Sequence, residues 1–231
     1  MRKAIITLGV IACTALALLS IGPFVYQLFH DRGLQTADLG SGGEPATVEM
    51  DGTWNVEKGF GSNHTQAGYT FDEVLPGQRK TTSGRADNSN GESVTGQVQV
   101  KGETLKEGKI QVKVADISSD NQKRDNNVRN HILQTDMYPT ATFDLTKPVD
   151  LSKVPADGTP GSVNIEGDLE LHGKRQHIEA PMKVLRTGDK VITQSNLPIK
   201  LSDFDVKSPR FVASKISEEG TIDLMLVLGK S

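Results

Sequence analysis

The chain has 231 residues, 35% hydrophobic and 24% charged, with a formal net charge of −3. Apart from Arg2 and Lys3, which precede an uncharged run, 24 basic residues stand against 29 acidic ones. An acidic chain with one Trp and no basic stripe argues against nucleic-acid binding and against electrostatic docking on an anionic leaflet.

From Ala4 to Phe29 no side chain is charged, whereas a bilayer core needs only about 20 helical residues. The apolar region of a secretory signal is shorter, roughly 7–15 residues, so residues 1–30 read as a retained single-pass anchor in the cell membrane. Arg2 and Lys3 keep the N-terminus cytoplasmic and put the bulk of the chain outside. "VIAC", residues 10–13, resembles a lipobox, but 16 uncharged residues follow Cys13, which reads instead as a small membrane-embedded side chain. No other cysteine is present, so the outer domain has no internal disulfide. A domain of this size buries enough core without one. Residues 31–50, polar and rich in Gly, read as a flexible tether with a reach of roughly 25 Å.

Residues 51–231 alternate in period two. Val94, Val98 and Val100 share a face, as do Ile110, Val112 and Val114, then Ala141, Phe143 and Leu145. "VNIEGDLELHG" sets Val163, Ile165, Leu169 and Leu171 against Asn164, Glu166, Asp168, Glu170 and His172. "LPIKLSDFDV" carries Leu197, Ile199 and Leu201, then Phe204 and Val206 after a parity shift that predicts a bulge or bend. The last run puts Ile222, Leu224, Leu226 and Leu228 in phase. Turn signals such as Asn90-Gly91, Gly173-Lys174 and Gly188-Asp189 separate the strands, and about eight strands predict an antiparallel barrel or sandwich. One segment breaks the period. Residues 118–133 begin with the capping residues Ser119 and Asp120 and space Arg124, Val128 and Ile132 four apart, predicting a short helix.

"RDNNVRNHIL", "TDMYPTATF" and "GDLELHG", preceded by "EVLPGQRKTTSGRADNSNGESVTGQVQV", resemble the YceI-like family in order and spacing, from roughly Thr53 to Gly229. That resemblance implies an all-β fold: an extended lipocalin-like antiparallel barrel of about eight strands with a short appended helix. It also implies an apolar tunnel that holds an isoprenoid or other long-chain amphiphile, in the bacterial cell envelope. The membrane anchor departs from the soluble periplasmic members.

Eight strands enclose either a filled core or one ligand. The inward faces are mostly Val, Ile and Leu, with Phe60, Phe71, Phe143, Phe204 and Phe211. A tunnel would be lined by Val112, Val114, Phe143, Leu169, Leu171, Phe204 and Val206, with Val128 and Ile132 from the helix. Arg124 either meets a lipid head group or, with Asp125, pins the helix to the rim. Tyr138 either presents its hydroxyl at that rim or packs over Pro139.

His172 and His177 flank a turn but have no third ligand at a convincing spacing for a metal. No nucleophile elbow, paired-carboxylate motif or phosphate loop is present. The sequence therefore reads as a membrane-anchored extracytoplasmic lipid-binding protein, not an enzyme, without cofactor. The rival readings are an envelope accessory protein with a closed, ligand-free core and a lipid hydrolase. Homodimerisation stays open.

Overall fold

The computed structural model describes residue 39 and residues 42–60, 63–75, 78–89, 91–208 and 215–231. The apolar run 4–29, Cys13, most of the tether, Asn90 and Phe211 lie outside the described residues. Among the described residues no helix is long and apolar enough to cross a membrane.

In chain order the strands are β1 (Gly52–Glu57), β2 (Gly59–Phe60), β3 (Asn63–His64), β4 (Gln66–Leu75), β5 (Gln78–Asp87), β6 (Val94–Lys101) and β7 (Thr104–Lys113). Helix α1 (Gln122–Asn127) follows. Then come β8 (Thr140–Leu145), β9 (Val149–Asp150), β10 (Gly161–Leu171), β11 (Lys174–Thr187), β12 (Lys190–Lys200) and β13 (Lys215–Lys230). Eight of them close an antiparallel barrel in the order β1-β6-β7-β8-β10-β11-β12-β13, with β1 pairing back onto β13.

The length of β13 decides the shape. Its C-terminal residues 227–230 pair with β1, while residues 215–225 pair with β4 and so carry the β4–β5 hairpin. The hairpin extends the wall at one end of the barrel, where β5 meets the chain again through Arg85 and Ser118. Strand β5 gives no clear sequence signal, because its inward residues are Thr82, Gly84 and Ala86, too small and polar to alternate visibly.

The expected helix begins later than predicted. Asn121, rather than Ser119 or Asp120, caps it, accepting hydrogen bonds from the amides of Lys123 (3.0 Å) and Arg124 (3.2 Å). Its last turn widens into a π-turn, Leu133 N–H donating to Val128 C=O at 2.8 Å. The parity shift after Leu201 is neither bulge nor continuing strand. β12 ends at Lys200, and residues Leu201–Phe204 form a 3₁₀ turn that closes on Asp205 at φ 57°.

Two apolar clusters line the barrel, one around Trp54, Ile165 and Leu226, the other around Phe71, Leu171 and Phe204. A third lies on the outer face, where Leu185, Ile192, Met225 and Val227 pack with Leu39. Residues 42–50 likewise depart from the tether reading. Gly43, Ala46 and Thr47 donate to Gly158, Ala156 and Gly188 at 2.8 Å each, and Trp54 Nε1 donates to Met50 C=O at 2.8 Å. The folded body thus starts ahead of Asp51.

Candidate ligand-binding cavity

Inward side chains along the strands leave two chambers on one axis. The larger, about 400 Å³, lies at the helix end; the smaller, about 80 Å³, lies around Trp54. Consecutive inward residues of single strands pass from one to the other: Val112 to Ile110 on β7, Ala141 to Phe143 on β8, Ile199 to Leu197 on β12 and Ile222 to Leu224 on β13. Val112, Phe143, Ile178 and Ile222 touch both apolar clusters and mark the level at which the two meet. On β10, Gly167 makes room for the Phe143 ring, which any Cβ at that position would strike.

Polarity is confined to one end. The smaller chamber has an apolar wall, and the hydroxyl of Thr193 is tucked behind it, buried and without a hydrogen-bond partner among the described residues. The larger chamber is apolar inside but carries Glu73 on β4 and Asn121, Lys123, Arg124 and Asn127 from the helix. A molecule filling both would therefore have a polar end under the helix and an apolar end beside Trp54.

Side-chain anchoring holds the helix over this opening. Asp125, buried, accepts from the Ser119 amide (2.9 Å) and hydroxyl (2.6 Å), tying the first turn to the strand-like segment that bridges β5. Arg124 pairs with Asp120, not with Asp125, and its side chain lines the chamber. The two readings of this dipeptide thus divide between its residues: Asp125 pins, and Arg124 faces the cavity.

The opposite wall is held by a buried ion pair. Arg85 on β5 crosses β4 above Gly68, where a Cβ would meet its chain, and reaches Asp223 on β13 at 2.5 Å. Asp223 also accepts from Thr70 (2.5 Å), Asn196 (2.5 Å) and Thr221 (2.7 Å). Burial pulls the Arg85 guanidinium below its usual pKa, and Asp223 pushes it back up. This network fixes the strand pair that presents Tyr69. Burial pushes the Tyr69 hydroxyl up to about 12, against the opposing pull of Arg124 and Arg85. At neutral pH it is a neutral donor facing the cavity.

Of the residues expected at a tunnel, Val112, Val114, Arg124, Val128, Ile132 and Leu171 line the larger chamber and Phe143 the smaller. Four do not line either. Leu169 is 4% exposed and packed at the level where the clusters meet; Phe204 and Val206 are buried in the helix-end cluster, drawn into it by the 3₁₀ turn. Tyr138 packs at a tilt against His172 (ring centroids 4.5 Å apart) and covers Gly173, outside the chamber lining. Phe60, expected inside, is 87% exposed on the β2–β3 hairpin. His172 contacts the Phe204 carbonyl and Gln134, whereas His177 pairs with Asp168, so the two do not converge. Tyr69, Ile199 and Ile222 line the cavity but were not singled out as site residues; the Ala67-Tyr69-Phe71 alternation on β4 was the available signal.

A family model for the YceI-like domain matches residues 54–228. Among solved structures, the chain is similar to a polyisoprenoid binding domain from Saccharophagus degradans implicated in plant cell wall breakdown. The identity there is 18% and the TM-score 0.57, over 77% of this chain and 98% of that one. It is also similar to BcnA of Burkholderia cenocepacia, with 21% identity and a TM-score of 0.54 over 70% of this chain and 95% of that one. At such identities the likeness is one of fold. No curated protein matches the chain.

Proposed function

The chain belongs to the family of YceI-like domains, and from that premise we propose that it is a membrane-anchored extracytoplasmic lipid-binding protein. It holds a polyisoprenoid or other long-chain amphiphile, tail toward Trp54 and polar end under the helix. The observation that carries this reading is the pair of coaxial chambers, polar at one end only. Scaled from an apolar cavity of about 150 Å³ that takes a six-carbon ring, the larger chamber takes about 16 carbons and the smaller about three. That is a chain's worth of space, and a closed, ligand-free core would not leave it. The solved relative from Saccharophagus degradans, described as a polyisoprenoid binding domain, supports the same ligand class.

Binding, rather than catalysis, is the proposed activity. The anchor in residues 1–30 and the positive charges ahead of it support a single-pass protein whose barrel lies outside the cytoplasm. Mass spectrometry of the purified full-length chain tests the ligand: a chain-like amphiphile near one per protein is expected, and a chain that neither carries nor takes up any lipid would overturn the reading. Protease added to intact spheroplasts tests the location, with cleavage of the barrel expected and complete protection contradicting it.

A further inference from the structure

The larger chamber contains a donor that the fold itself does not use. Tyr69 lines the wall, and its ring lies against Gly84, where an added Cβ would meet both it and Ile117. Tyr69 shares that chamber with Asn121, Lys123 and Arg124 at the start of the helix. Among the described residues its hydroxyl has no hydrogen-bond partner and stays accessible within the chamber, although the backbone carbonyl of Tyr69 accepts from Arg85 at 2.5 Å. A phenol that lines an apolar chamber and makes no bond within the fold is a donor left available to whatever enters that chamber.

The local charge says what kind of acceptor fits. Glu73 and Lys123 line the chamber, Arg124 is paired with Asp120, and Asp125 is occupied by Ser119. Around the hydroxyl Arg85, Arg124 and Lys123 stand against Glu73, Asp120 and Asp125, charges in balance, so an anionic head would meet no net attraction. Resting on the lipid-binding reading above, we infer that Tyr69 is the residue that recognises the polar end of the amphiphile. Its hydroxyl donates to an uncharged oxygen acceptor, a carbonyl or ether, which is drawn inside the barrel below the helix while the chain runs toward Trp54.

The test compares three probes on the purified full-length chain and its Tyr69→Phe variant: farnesylacetone, with a ketone; farnesane, a hydrocarbon; and farnesyl phosphate. Tyr69→Phe is expected to weaken farnesylacetone about tenfold while leaving farnesane unchanged. The ligand-free variant should melt no lower than the parent, because the fold makes no hydrogen bond with that hydroxyl. Equal affinity of both proteins for farnesylacetone would overturn the assignment and leave lipid binding standing. So would a lower melting temperature of the ligand-free variant, which would show that the fold needs the hydroxyl. Preferential binding of farnesyl phosphate, insensitive to Tyr69→Phe but lost in Lys123→Gln, would replace the neutral acceptor with an anion. If none of the three probes binds the parent, the lipid-binding reading itself fails and this assignment with it.

Discussion

Leu169 and Leu171 stand two residues apart on the same face of β10, 4% and 7% exposed, yet only Leu171 borders the larger chamber. Replacing each by Trp separates a cavity wall from a packed core. Trp exceeds Leu by six heavy atoms, which need roughly 150 Å³ on the scale of a benzene-sized cavity. At position 171 that volume is available within the chamber of about 400 Å³. The remaining space, roughly 250 Å³, would take only about ten carbons. Leu171→Trp should therefore fold with a melting temperature close to that of the ligand-free parent and lose affinity for a sixteen-carbon chain. At position 169 no void exists, and overpacking should destabilise by about 1–3 kcal/mol, a drop of about 2–12 °C for a domain of this size. Melting of both ligand-free variants by circular dichroism, paired with a chain-binding assay, reads both effects. Equal, large drops in the two variants, or undiminished binding of the long chain by Leu171→Trp, would refute the reasoning.

Three further outcomes follow from the same structure. Thr193→Val should raise stability by about 1–3 kcal/mol in urea unfolding, since the buried Thr193 hydroxyl has no partner among the described residues and the two side chains are near in shape. Asp223→Asn should lower stability by about 3–5 kcal/mol by leaving the Arg85 guanidinium buried without its counter-charge, again read by urea unfolding. Tyr69 titrates near 12 in the folded chain against 10.0 unfolded, so it affects stability only at alkaline pH. Below pH 10 both states hold the proton; above it the unfolded state releases the proton first, and stability falls by about 2 kcal/mol by pH 12. Tyr69→Phe should lose correspondingly less stability than the parent over that interval, as read by alkaline unfolding curves.

Much of the barrel was legible because a period of two reports which face of a strand is buried. It assigned β6, β7, β8, β10 and the end of β13 correctly. The same signal is blind to what the buried face meets, which is why Leu169 and Leu171 were indistinguishable until the Phe143 ring was seen to fill the space over Gly167. β5 escaped notice for a related reason: Thr82, Gly84 and Ala86 point inward without being large or apolar. Phe204 and Val206 were assigned to the tunnel on a strand geometry that Asp205, in the left-handed region, replaces with a turn. The helix was found from its four-residue spacing, but its role at the opening depends on Asp125 reaching Ser119, a local hydrogen bond that hydrophobic periodicity does not encode. Tyr69 draws its significance from a missing partner, and only three-dimensional placement shows an absence of that kind.

The central claim, that a chain lies in the barrel with its tail in the deeper chamber, is tested most directly through Trp54. It is the only tryptophan in the sequence, and it lines the smaller chamber. Methyl hexadecanoate brominated near its methyl end should quench Trp54 fluorescence saturably, near one equivalent, while the same ester brominated beside the carbonyl should not. Absence of quenching by either, or stronger quenching by the carbonyl-side bromide, would contradict the account.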